Sequence, residues 1–314
     1  MNLIATDATS NKFVDPKVTA DGQPRAHVSS SGLTTVWFNT GTLCNLTCES
    51  CYIESSPSND RLVYLSRAEV LAYLSEIRRE HTAVRQIGLT GGEPFMNPDV
   101  IDIMASCLTE GFELIVLTNA MRPMMKCAEA LAHLNAQYAD QLTIRVSIDH
   151  YRSELHEEER GRRSWMPMIH GLQWLATNGF NIDIAGRLRW SDDEDALRNG
   201  FAALFRELEL NIDAYCRERL MLFPEMDPAA DVPEITDSCW ATLNLDPSSV
   251  MCSDSRMVVK RNGAKAPEVV ACTLLPYEDD FSLGQSLTES MVPISLNHPN
   301  CAQFCVLGGG SCTS

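Results

Sequence analysis

The chain has 314 residues, of which 25 are Lys or Arg and 42 are Asp or Glu, for a formal net charge of −17. That length buries a full core and fits one large domain with a smaller companion, while so acidic a surface repels a phosphate backbone or an anionic bilayer and argues against a nucleic-acid or membrane partner. No apolar run reaches membrane-spanning length and no basic-then-apolar leader opens the chain, so a cytoplasmic protein is expected, in which twelve cysteines point to metal or redox chemistry rather than disulfides.

Residues 1–32 are polar with scattered Gly, Pro and Ser, and read as a loosely ordered arm too short for a domain of its own. From Thr34 onward, strand-like and helix-like segments alternate. Residues 34–41 are β-branched and aromatic, a first strand that delivers a cysteine loop at its C-terminal end. Residues 65–80 have Ser66 as N-cap, Glu69 three positions on, and Val70, Leu71, Leu74 and Ile77 at helical spacing. A strand at 85–90 ends on Gly91-Gly92-Glu93-Pro94, and 97–111 reads as a helix with Asn97 as cap, Pro98 in its first turn and Gly111 as terminator. Further strands are expected at 112–119, 142–149, 180–188 and 219–224, with helices at 123–138, 163–178 and 192–208 between them. Six strand–helix repeats imply an α/β protein with parallel strands, because a right-handed crossover places the helix between them. After Pro224 a Pro- and Asp-rich linker opens a cysteine-rich stretch with little helical periodicity.

The loop from Leu43 to Tyr52 holds Cys44, Cys48 and Cys51, separated by three residues and then two. Three thiolates that close share one soft metal centre. A structural zinc needs a fourth ligand nearby, and no His or Cys follows until His81. Three cysteines with a vacancy suit a four-iron, four-sulfur cluster whose fourth iron takes an outside ligand.

This loop resembles the signature of the radical S-adenosylmethionine enzymes, and Thr90-Gly-Gly-Glu-Pro94 is similar to their second motif, in the right order and at a helix-length distance. The resemblance implies an open, partial (β/α)6 barrel of parallel strands over 33–225 with a small cysteine-rich C-terminal extension over 226–314. It also implies a 4Fe-4S cluster on Cys44, Cys48 and Cys51, its fourth iron chelated by S-adenosyl-L-methionine. An electron from a donor such as flavodoxin or ferredoxin would then cleave that cofactor to a 5′-deoxyadenosyl radical. By the same resemblance, Gly91, Gly92, Glu93 and Pro94 hold the methionine ammonium through backbone and the Glu93 carboxyl. Ser147 and Asp149 contact the ribose or the methionine carboxylate, and Arg187 pairs with that carboxylate. One position departs from the pattern: Ser50 stands directly before the third cysteine, where many relatives carry an aromatic residue, and Tyr52 follows it.

Cys252 and Cys272 flank a hairpin expected around Asn262-Gly263, and Cys301, Cys305 and Cys312 follow. This pattern resembles the auxiliary-cluster extension of the same family in its short twitch form, the longer form being SPASM. Five cysteines serve four iron positions: the favoured set for an auxiliary 4Fe-4S cluster is Cys252, Cys272, Cys301 and Cys305, with Cys312 able to replace one of the last two. A zinc knot and simple buried thiols are the other readings. Cys107 and Cys127 read as core. Cys216 and Cys239, near the last strand and the linker, read either as spare thiols or as hydrogen donors of the kind the family's epimerases use. The acid-rich stretch around His150, Tyr151 and His156 reads as a solvated charged turn, with a substrate role for His150 as the sharper reading.

The function expected is therefore a radical enzyme that modifies a peptide or protein side chain by oxidation, cross-linking or epimerisation. A radical dehydrogenase of a small metabolite, or a non-catalytic iron–sulfur or zinc sensor, are the alternatives. The acidic balance favours a cationic or neutral substrate.

Overall fold

The computed structural model describes residues 11–190 and 193–312, so the first ten residues of the expected arm and the expected helix start at Asp192 lie outside them. Strand β1 (His27–Val28) stands apart from the main sheet. The repeating part then runs β2 (Thr35–Asn39), α1 (Arg67–Glu80), β3 (Gln86–Thr90), α2 (Val100–Thr109) and β4 (Glu113–Thr118). It continues through α3 (Arg122–Lys126), α4 (Ala128–Tyr138), β5 (Leu142–Ser147), α5 (Ser153–Arg160), α6 (Trp165–Thr177), β6 (Asn181–Leu188), α7 (Glu194–Glu207) and β7 (Leu220–Pro224). Beyond these come α8 (Cys239–Leu243), β8 (Ser255–Val259), β9 (Glu268–Val270) and β10 (Ile294–Ser295).

Strands β2 to β7 lie side by side in chain order and are all parallel, as the strand–helix alternation requires. The sheet does not stop at β2. Strand β8 pairs with it in parallel, Thr35 opposite Ser255, and β9 returns antiparallel through the turn at Gly263. The cysteine-rich stretch thus extends the sheet itself, and β10 reaches back to pair with β1, His27 opposite Ser295.

Alternation along the strands sorts the sheet's two faces. Val36 and Phe38 of β2, with Leu114 and Val116 of β4, face the helices in one apolar core. Trp37 and Ile115, between them in sequence, face the other way into a second core shared with Phe304 and the C-terminal cysteines. The lumen of the open barrel is therefore packed by the cysteine-rich unit, while helices cover the outside.

Local chemistry explains most element ends. Ser66 and Glu69 form the expected capping box at α1, whose Val70, Tyr73, Leu74 and Ile77 are buried. The helix expected at 97–111 starts later, at Val100, because Asn97 Oδ1 accepts the Asp99 amide in a turn and a 3-10 turn over Pro94–Met96 precedes it. The helix expected at 123–138 breaks in two at Cys127, whose amide bonds Met124 O. All described cysteines are unpaired thiols, and no helix of the described residues is long and apolar enough to cross a membrane.

Candidate active site

The C-terminal ends of β2 to β7 converge on one cavity of about 1060 Å3, counting the solvent at its mouth. Ligands in parallel α/β sheets bind at this end of the strands. Cys44, Cys48 and Cys51 line it, on the loop that leaves β2. Gly91 and Gly92, directly after β3, line it from the next strand. The turn and the loop lock backbone to backbone: Gly92 N donates to Gly41 O at 2.7 Å and Glu93 N to Leu43 O at 3.1 Å. No side chain fits between them, since a Cβ on Gly92 would stand 2.2 Å from Leu43 O and one on Gly91 2.4 Å from Gly41 O.

Of the four turn residues expected to touch cofactor, only these two glycines line the cavity. The Glu93 side chain turns inward, toward the end of β4. It accepts Thr118 Oγ1 at 2.8 Å, Asn119 N at 2.9 Å and Phe95 N at 3.2 Å, which bolts the turn to the end of β4. Burial pushes that carboxyl up to about 7 despite the donors. Pro94 is buried at the start of the 3-10 turn.

Ser147, Asp149 and Arg187 all line the cavity, from the ends of β5 and β6. Asp149 has an unanticipated partner: Arg160 pairs with both of its oxygens, while Arg187 Nε lies 3.6 Å away. Burial alone would raise the Asp149 carboxyl, but the two guanidinium groups outweigh it and hold it below the ordinary carboxylate range. Arg187 also donates to Ser50 O at 2.6 Å and stacks on the Tyr52 ring at 4.4 Å.

The stretch read as a solvated turn is the helix α5, and it clamps the cysteine loop. Its Glu159 is 2% exposed; the carbonyl accepts Glu49 N at 2.9 Å and the carboxylate Ser50 N at 2.9 Å. Arg189 closes the clamp by pairing with Glu159 and donating to Ser50 Oγ at 2.7 Å. Ser50 thus anchors the loop, and Tyr52, which lines the cavity, is the aromatic residue beside it. The signal for this helix was present: His156, Glu159 and Arg160 fall three and four residues apart, on one face.

Three thiols that line one cavity suit an iron–sulfur cluster whose fourth iron takes an outside ligand. Burial pushes the Cys44 and Cys48 thiols up to about 12 and about 11, so metal must displace their protons. Two further buried polar atoms on residues that line the cavity, Trp37 Nε1 and Ser55 Oγ, have no hydrogen-bond partner among the described residues and suit a polar guest.

Of the five C-terminal cysteines, four line a second, small cavity: Cys252 on the turn before β8, Cys272 just after β9, and Cys301 and Cys305 on a π-helical turn (Cys301–Val306). Cys312 departs from them and lines the main cavity, its sulfur 3.1 Å from Thr273 Oγ1. The two thiols weighed as hydrogen donors do not line the main cavity. Cys216 donates to the Glu218 carboxylate at 3.0 Å, and Cys239 accepts Thr236 N at 3.4 Å. His150 does not line it either; it packs between Tyr151 and Trp190, with ring centroids 4.3 and 5.2 Å away.

Comparison with known proteins agrees with this fold. The family model described as the radical SAM superfamily matches residues 38–198. The antilisterial bacteriocin subtilosin biosynthesis protein AlbA of Bacillus subtilis is 27% identical over 143 residues, which are 45% of this chain and 30% of AlbA. The matched stretch is thus under a third of that relative's length. Among solved structures, Streptococcus suis SuiB bound to its precursor peptide SuiA aligns with a TM-score of 0.57 at 12% identity, over 90% of this chain and 67% of SuiB. Native anSMEcpe with bound AdoMet aligns with a TM-score of 0.58 at 13% identity, over 84% of this chain and 81% of that protein.

Proposed function

This chain belongs to the radical SAM superfamily, and from that premise we propose that it modifies a peptide side chain with the help of an auxiliary cluster. Members are enzymes that use a 4Fe-4S cluster and S-adenosylmethionine; once bound and reduced, that pair supplies a 5′-deoxyadenosyl radical for hydrogen abstraction. The observation that carries the reading is one cavity lined together by Cys44, Cys48, Cys51, Gly91, Gly92 and the guanidinium groups of Arg160 and Arg187.

In this reading the three cysteines hold the cluster. Gly92 N and Glu93 N are spent on Gly41 O and Leu43 O, and an ammonium, itself a donor, would take the turn's carbonyl oxygens. Arg187 and Arg160 offer positive charge to a carboxylate, balanced by Asp149 and Glu159. Ser147 supplies a hydroxyl, and the Tyr52 ring walls the cavity. Cys252, Cys272, Cys301 and Cys305 hold the auxiliary cluster below the lumen. The peptide substrate is favoured by the SuiB–SuiA complex and by the role of AlbA in bacteriocin biosynthesis.

Anaerobic reconstitution with iron and sulfide, reduction, and measurement of 5′-deoxyadenosine test the reading. Cofactor cleavage is expected in the wild type and absent in Cys48→Ala. A wild-type protein with a full first cluster and no cleavage would refute it.

A further inference from the structure

Arg256, in β8, is fully buried. Five arginines are buried among the described residues: Arg25, Arg145, Arg187, Arg198 and Arg256. The first four have a carboxylate oxygen at 3.8 Å or less, on Glu234, Asp183, Glu225 and Glu194 respectively. Arg256 has none among the described residues, in a chain with 42 acidic side chains. Its donors go to main-chain carbonyls instead. Nε donates to Ser290 O at 3.1 Å, Nη1 to Cys252 O at 2.6 Å and Ser255 O at 2.7 Å, and Nη2 to Val292 O at 3.4 Å. Carbonyls satisfy its hydrogen bonds and leave its charge uncancelled, which is costly in a buried place.

The residues beside it supply the missing anion. Cys252, whose carbonyl takes Nη1, is one of the four cysteines that line the small second cavity, with Cys272, Cys301 and Cys305. As thiolates, Cys252 and Cys272 act on this guanidinium more strongly than Asp254 does, and the Asp254 carboxylate itself accepts Thr34 Oγ1 at 2.9 Å. The rest of the cavity's lining is apolar, with Met251, Leu275, Phe281, Ile294 and Leu296 in it, and supplies no charge. Four thiolates outweigh the positive charge of a four-iron, four-sulfur core, so the loaded site is an anion in surroundings of low dielectric. One-electron reduction makes it more negative still. A fixed positive charge beside it is therefore stabilising, and more so in the reduced form.

We propose that Arg256 is the fixed counter-charge of the auxiliary site: it balances the negative charge gathered there and raises the potential at which that site takes up an electron. The proposal rests on the auxiliary-cluster reading above and adds the residue that sets its electron affinity. Arg256 touches no substrate and calls for no opening of the fold. It acts on the site through the backbone of Cys252 and through the field of its charge, which makes it a positioning residue.

The test is the midpoint potential of the auxiliary cluster, read by electron paramagnetic resonance on the reconstituted full chain poised at set potentials with dithionite. The first cluster's signal is told apart by the change that S-adenosylmethionine makes to it. Arg256→Gln should make the auxiliary cluster about tenfold harder to reduce, a fall of about 59 mV for one electron. Arg256→Lys, which keeps the charge and loses the planar fork, should stay within about threefold of the wild type. Asp254→Asn removes the carboxylate that acts on the same guanidinium and should shift the potential upward. That variant keeps the test open should Arg256→Gln fail to fold or to load iron. An unmoved potential in iron-loaded Arg256→Gln, a fall in Arg256→Lys as large as in Arg256→Gln, or an unmoved or lowered potential in Asp254→Asn overturns the proposal. A wild type that shows the first cluster's signal and no second one sinks the auxiliary reading and this proposal together, whereas two signals with an unmoved potential sink the charge role alone.

Discussion

His156 sits on α5 against the Trp165 ring, 5.3 Å between centroids, and neither ring nitrogen has a hydrogen-bond partner among the described residues. Burial pushes its titration down from 6.5 to about 3, helped by the charge of Arg160. The folded protein holds this imidazole neutral while the unfolded chain protonates it, so the stability it contributes is complete above pH 6.5 and is lost as pH falls toward 3. The loss should reach about 2 kcal/mol by about pH 5, and His156→Phe should remove that part of the acid sensitivity. Thermal unfolding of both proteins across that range checks it; parallel curves would show that His156 is not held neutral. The same helix shows where single residues were unreadable. Glu and Arg are almost always surface residues, so a run such as His156-Glu-Glu-Glu-Arg160 looks solvated, and only partners distant in sequence make Glu159 and Arg160 worth burying. Glu93 is a different case: its place beside the cysteine loop was legible from the motif, but the donors that turn its carboxyl inward come from the end of β4, about 25 positions away.

At the scale of elements, the site depends on a turn and a loop that approach without side chains. Gly92 has no room for a methyl group, because backbone atoms of Leu43 and Thr42 occupy the space at 2.2 to 2.8 Å. Gly91 adds a φ of +134°, which side chains rarely adopt. Gly92→Ala should therefore push the cysteine loop off the turn, at a cost of about 1–3 kcal/mol, and first-cluster iron should fall well below that of the wild type. Iron analysis of the reconstituted variant beside its melting temperature decides this, and full iron at an unchanged melting temperature would refute the clamp. Much of the element order was legible because hydrophobic period and caps are local signals, as in Ser66-x-x-Glu69 and the β-branched strands. The pairing of β8 with β2 was not, since about 220 residues separate Thr35 from Ser255 and no local pattern specifies a partner at that distance.

On the scale of the whole molecule, one sheet serves two cores. Helices seal its outer face, and the cysteine-rich unit fills the lumen with Phe304, which meets Tyr52 of the cysteine loop at 5.8 Å and Phe223 of β7 at 5.6 Å between centroids. Whatever binds Cys252, Cys272, Cys301 and Cys305 therefore ties together β8, β9 and the Cys301–Val306 turn, and through Phe304 it supports the wall of the main cavity. Metal bound at such a site adds its binding free energy to folding. Cys272→Ser should consequently lower iron from about eight to about four per chain, leave the first cluster able to cleave S-adenosylmethionine, and still reduce the melting temperature of the loaded protein. Cys312→Ser should leave iron near eight, because Cys312 lines the other cavity. Iron, sulfide and zinc analysis of the three proteins discriminates among the arrangements. Iron lost on Cys312→Ser would return that sulfur to the auxiliary set. One zinc per chain in place of four irons would make the four thiols a zinc site and refute the auxiliary cluster.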